Sequence, residues 1–204
     1  MATTVAAAGA VNGDKSTFNI LKYLFEVNHA KFVKRSGWWV VGIKDPESIA
    51  EHSFATAILA YVIASREKVE NPDRIALHAL FHDLHETRLL DQHKIASKYF
   101  KIPKEVKKKA ERDQCDLLGK PAGDVVYNLL ADETAILKDA DYLEAAITAR
   151  CYYDNGHTGA FDWIERVSAV LKTKTARELC ELLKTTDSSV WWQGLKEDLD
   201  SLKY

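Results

Sequence analysis

Phe18, Leu21, Leu24, Phe25, Asn28 and Phe32 recur at three- and four-residue steps, which predicts an amphipathic helix over 16–34 with that stripe turned inward. The period breaks over 35–46, a connecting loop. Asp45-Pro46 reads as an N-cap followed by proline at the first helical position. Ala50, Phe54, Ala57, Ile58, Tyr61 and Val62 then carry a second helix over 46–68. Asn71-Pro72 repeats the start signal for a third helix through Glu86. Pro103 and Pro121 open two more, and 124–153 reads as one long helix or two. Asp154-Asn155-Gly156 is a turn signal, and 160–183 and 188–202 close the chain as helices. No alternating strand and no internal repeat interrupts this pattern. The expectation is an all-α fold: a flexible tail over 1–15, then one helical domain over 16–204. Its motif-bearing core is about 18–155 and its helical extension 156–204.

Composition sharpens that picture. Glycine (9) and proline (4) together are scarce for 204 residues, about half the usual share, which disfavours turn-rich sheets. A formal net charge of −2 gives no global reason to expect nucleic acid or an anionic membrane as partner. Lys101 to Arg112 is locally basic but has no interleaved aromatics, so it reads as a solvated helix face. Three cysteines without CxxC spacing fit a reducing compartment. No run approaches the length of a membrane span, and the opening alanine-rich stretch lacks the basic start of a signal peptide. The expected location is the cytoplasm.

The chemistry centres on His82-Asp83, set in an otherwise apolar stretch (Ile75, Leu77, Ala79, Leu80, Phe81, Leu84). Buried ionisable groups are costly unless paired or bound to metal. His52 lies on the preceding helix among small and apolar neighbours. Glu86, four residues after His82, is expected on the same helical face. Lys138-Asp139-Ala140-Asp141 brings a further carboxylate from a later helix. Two imidazoles and two carboxylates suit a divalent transition metal held in a bundle core. Asp139 and Asp141 compete for the fourth position, since residues two apart on a helix point to nearly opposite sides.

These residues resemble the His…His-Asp…Asp signature of the HD-domain metallophosphohydrolases, and more closely its 5′-deoxynucleotidase branch. The likeness includes Arg35-Ser36-Gly37-Trp38, Pro46-Glu47-Ser48 ahead of His52, His82-Asp83-Leu84-His85-Glu86, Asp91, Glu133, and Lys138 to Asp141. It spans about residues 18–155. The resemblance implies an all-α HD-domain bundle with one divalent ion (cobalt, manganese, magnesium or zinc) held by His52, His82, Asp83 and Asp141. It favours Asp141 over Asp139. It implies a 5′-deoxynucleotidase-like phosphoric monoester hydrolase acting on nucleoside 5′-monophosphates, assembled as a homodimer. Such an ion lowers the pKa of its water toward neutrality. Glu86 would orient that water or pass a proton to the leaving 5′-oxygen. Arg35 would clamp the phosphate, Asp91 would meet the sugar hydroxyl, and Trp38 would lie beside sugar and base.

His85 stands where relatives usually have a small residue. It and His78 are expected to be structural. Glu133 and Glu144 are expected as solvated helix-surface carboxylates. No HExxH, P-loop, GxGxxG or GxSxG motif is present in the sequence. Two rival functions remain: another HD activity, on cyclic nucleotides or nucleoside triphosphates, and a non-catalytic helical module with a structural metal.

Overall fold

In the computed structural model, residues 14–200 are described, and all regular elements among them are helical. Most of the expected N-terminal tail and the last four residues lie outside the described residues. The helices are α1 (Lys15–His29), α2 (Ile49–Arg66), α3 (Pro72–Phe81), α4 (Glu86–Leu89), α5 (Lys104–Leu117), α6 (Ala122–Leu130), α7 (Ala135–Asp154), α8 (Phe161–Ser168), α9 (Lys174–Leu183) and α10 (Val190–Asp200).

The middle of the fold is α2, packed on α3 and α7, with α8 and α9 closing over the other side of α7. Its contacts are built from small residues. Ala60 and Ala64 of α2, Ala79 of α3, and Ala140, Ala146 and Ala149 of α7 are all fully buried. Without long side chains between them, these backbones approach closely. Ile63, Leu143 and Ile164 fill the remaining space. The same core takes in Val167, Leu171, Ala176 and Cys180, so the segment after residue 155 packs on the motif-bearing helices. The three cysteines are free thiols.

Several boundaries differ from the periodicity. The first helix ends at His29, and its expected inner stripe is outside: Phe18, Leu21, Leu24, Phe25 and Phe32 are exposed, whereas Tyr23 is buried. The reason is a polar seam. Glu26 accepts hydrogen bonds from Arg88, Thr87 and Gln114, so α1 docks on α4 and α5 through its hydrophilic side. The second helix starts at Ile49 instead of Pro46, because Ser48 and Glu51 form a reciprocal capping box that satisfies the free N–H groups of the first turn. The third helix stops at Phe81, with His82 to His85 forming a tight turn before α4. The 124–153 stretch is two helices, and so is 160–183.

No helix among the described residues is long and apolar enough to cross a membrane.

Candidate functional site

The site forms where the first turns of α2, the turn after α3 and the middle of α7 meet. His52 comes from α2, His82 and Asp83 from the turn, and Asp141 from α7. His52 Nε2 lies 3.1 Å from Asp141 Oδ1 and 3.7 Å from Asp83 Oδ2. His82 Nε2 lies 3.1 Å from Asp83 Oδ2 but not in hydrogen-bonding geometry, and it is buried with no such partner.

Hydrogen bonds on the far ring nitrogens indicate how each imidazole is oriented. His82 Nδ1 is 2.6 Å from the Ala79 carbonyl oxygen. A carbonyl only accepts, so Nδ1 carries the proton and the lone pair of neutral His82 sits on Nε2. His52 Nδ1 is 2.5 Å from Glu144 Oε2, again leaving Nε2 toward the carboxylates. Both rings thus point their ligand-competent nitrogen into one space, the orientation that metal-bound histidines take. His52, His82 and Asp83 bring donor atoms within 4.8 Å of one another. Together with Asp141, these donors fit a divalent cation.

The electrostatics agree with that fit. Burial and Arg35 oppose a charge on His52, yet Asp141 and Glu144 outweigh them and raise its pKa to about 9, so without a metal these carboxylates hold a proton on the imidazole, which a cation would displace. Burial would raise the Asp83 carboxyl, but His82, His52 and Arg35 hold it well below the ordinary range. Against burial, the Asp83 and Asp141 carboxyls are both held below the ordinary range by the imidazoles beside them, so both stay ionised, as ligation of a metal requires.

Arg35 reaches this centre from the other side. Its Nη1 is 3.5 Å from Asp83 Oδ2 and its Nη2 3.9 Å from Asp141 Oδ1. Its backbone is fixed by a short antiparallel pairing: the Arg35 N–H donates to the Glu47 carbonyl and the Ile49 N–H to the Val33 carbonyl. Asp91 holds the next residue, accepting from the Ser36 N–H at 2.5 Å and lying 2.9 Å from its hydroxyl. Glu86 opens α4 with Oε2 buried and unpartnered. Burial, then Asp83 and Asp91, push its carboxyl well above the usual range.

The structure brings His52, His82, Asp83, Asp141 and Arg35 together, with Asp91 and Glu86 at the edge. Trp38 is elsewhere. It is 2% exposed, packs against Tyr152 and Trp163 at ring-centroid distances of 5.1 and 5.2 Å, and donates its indole N–H to Glu47 Oε1. It supports the loop from beneath instead of facing the pocket. Asp139 faces away too, its carboxylate accepting from the Lys172 and Thr173 backbone N–H groups. Glu133 is solvent-exposed and pairs with Lys138, as expected. Glu144 is not a surface carboxylate; it is 3% exposed, because it lies on the inner face of α7, three residues after Asp141. His78 and His85 are buried. Burial, then Lys107, pushes the His85 imidazole down to about 4.

Glu47 had no role from the sequence. Its side chain is 11% exposed and lies between Trp38, Arg35 and Thr148. Burial, then Glu144, push its carboxyl up to about 7 against the pull of Arg35. Its place directly ahead of the capping box at Ser48 was the available signal.

A family model for the HD domain matches residues 27–183. The chain belongs to the HD domain family. The 5′-deoxynucleotidase of Vibrio cholerae is 30% identical over 171 residues, covering 76% of this chain and 87% of that protein. Human 5′-deoxynucleotidase HDDC2 is 29% identical over 168 residues, covering 77% of this chain and 78% of that one. The solved structure of a predicted coding region from Archaeoglobus fulgidus is 32% identical, covers 86% of this chain and 99% of its own, and superposes with a TM-score of 0.59. The protein is an HD-domain phosphohydrolase, and the HD fold together with its His-Asp cluster implies a divalent metal.

Proposed function

We propose that this HD-domain protein removes the 5′-phosphate from deoxynucleoside 5′-monophosphates. The observation that carries the reading is the convergence of two Nε2 atoms and the Asp83 and Asp141 carboxylates beside a guanidinium. The names of its relatives support the substrate class.

In this reading His52, His82, Asp83 and Asp141 hold one divalent ion, whose metal is cobalt, manganese, magnesium or zinc. When bound, such an ion acidifies a water and offsets phosphate charge. Arg35 binds two phosphate oxygens through its planar fork, turned toward the pocket by its pairing with Glu47. Water adds to phosphorus and the P–O5′ bond breaks, and the proton the water gives up later restores Glu86. Glu86 gives a proton to the departing 5′-oxygen, and its raised affinity for protons suits an acid. Asp91 orders the Ser36 backbone next to Arg35 and sets the sugar side of the pocket. Trp38 acts from beneath, by holding Glu47. The working unit is a homodimer, with the uncharged outer face of α2 as the contact surface.

The test is phosphate release from a panel of deoxy- and ribonucleoside 5′-monophosphates, comparing chelated protein with protein resupplied with each metal. Deoxynucleotide turnover should return with metal and vanish in Asp83→Ala. Silence across the panel while metal is bound would overturn the reading.

A further inference from the structure

Behind the metal-facing side chains runs a second, largely buried line of polar groups to which the proposed reaction assigns no step. Glu144 Oε2 meets His52 Nδ1 at 2.5 Å. The Thr148 hydroxyl donates to Glu144 Oε1 at 2.9 Å and lies 3.5 Å from Glu47 Oε2. Glu47 Oε1 accepts from Trp38 Nε1 at 2.8 Å and lies 3.9 Å from Arg35 Nε. The Glu47 backbone N–H donates to the Tyr152 hydroxyl. The His52 and Glu144 side chains are 0% and 4% exposed. Two carboxylates kept this deep are poor stabilisers, since apolar residues of similar volume generally do as well or better. Their geometry gives them another use, because each end of the line stops on a different functional side chain.

We propose that Glu144 and Glu47 are positioning residues with separate duties, tied together by Thr148. Glu144 fixes His52 with its proton on Nδ1 and its lone pair on Nε2, aimed at Asp83 and Asp141. Glu47 fixes Arg35 and the Trp38 loop, and so governs phosphate binding. This rests on the reading of His52 as a metal ligand and Arg35 as the phosphate clamp.

The experiment measures two affinities on the full chain by calorimetry: cobalt for the metal-free protein, and inorganic phosphate for the cobalt-loaded protein. Glu144→Ala should weaken cobalt binding by about 10–100-fold. Glu144→Gln, which keeps an acceptor for the Nδ1–H, should recover part of that loss. Glu47→Gln should leave cobalt affinity unchanged and weaken phosphate binding by about tenfold, with KM raised more than kcat is lowered. Unchanged helical circular dichroism establishes that each variant folds. Undiminished cobalt affinity in folded Glu144→Ala overturns the proposal. So does equal loss of cobalt affinity in Glu47→Gln, which would make the line one structural plug. If no nucleotide is hydrolysed but the cobalt pattern holds, the monophosphatase reading falls and the role of Glu144 stands.

Discussion

Asp139 and Asp141, two residues apart on α7, serve opposite sides of the helix. Asp141 Oδ1 lies 3.1 Å from His52 Nε2, whereas the Asp139 carboxylate accepts three backbone N–H contacts from Lys172 and Thr173 ahead of α9. One faces the site; the other anchors the C-terminal helices.

Their substitutions should therefore separate cleanly. Asp139→Asn should cost about 1.5–3 kcal/mol of stability, the range for hydrogen bonds to a charged group, with little change in metal affinity. Asp141→Ala should lose metal binding while remaining folded. Denaturant titration and metal calorimetry on both variants check this. Equal metal loss in the two would remove the distinction.

Glu86→Gln should retain metal and substrate binding but lower kcat by about 10²–10⁴-fold, the usual contribution of a proton donor. The loss should shrink for a substrate whose leaving group is already acidic, such as a nitrophenyl phosphate. Steady-state rates on both substrates decide it. A uniform loss on both points to water orientation instead.

Acid sensitivity has an identifiable source at Glu26. Burial alone would raise its carboxyl, but hydrogen bonds from Arg88, Gln114 and Thr87 outweigh that and hold it below the ordinary value. A folded pKa below the unfolded one means the stabilisation is complete above the unfolded value of about 4.3 and fades as pH falls through the folded one. Glu26→Gln should lower stability at neutral pH and flatten its decline in acid. Denaturation midpoints measured between pH 7 and pH 3 would show parallel curves if Glu26 contributes nothing.

The outer face of α2 presents Phe54, Ile58, Tyr61 and Val62 to solvent, with no Asp, Glu, Lys or Arg between Glu51 and Arg66. These exposed apolar side chains are the surface on which the proposed homodimer would form. Sedimentation of the unsubstituted protein should give a dimer and Ile58→Lys a monomer. A monomer in both cases excludes the homodimer.

Much of the candidate site was legible in the sequence because its proposed ligands come in a tight, ordered pattern: His52, His82-Asp83 and Asp141 keep their spacing whatever surrounds them. Helix spacing alone left Asp139 and Asp141 open and the resemblance favoured Asp141; the rotation of α7 turns Asp141 toward His52 and Asp139 toward Lys172 and Thr173. Glu144 was misjudged for the same reason. α7 is buried on more than one side, so its apolar pattern does not mark an inner face, and only the run Asp141, Glu144, Thr148 at helical spacing hinted at one. Trp38 is a motif residue whose large ring lies in the core, which its composition and spacing do not separate from a place beside the substrate. The outward stripe of α1 misled because its partners, Arg88 and Gln114, are polar and distant in sequence.

The alanine contacts between α2, α3 and α7 bear on the proposed metal site. His52 and Asp141 stand on helices whose separation is set by Ala60, Ala64, Ala140 and Ala146, that is, by methyl groups. An added methylene at Ala140 has nowhere to go in a close-packed interior, so the helices must part and the donors part with them. For the proposed ligand set, the calibre of the site, and with it the radius of cation that fits, would follow the smallest side chains of the core.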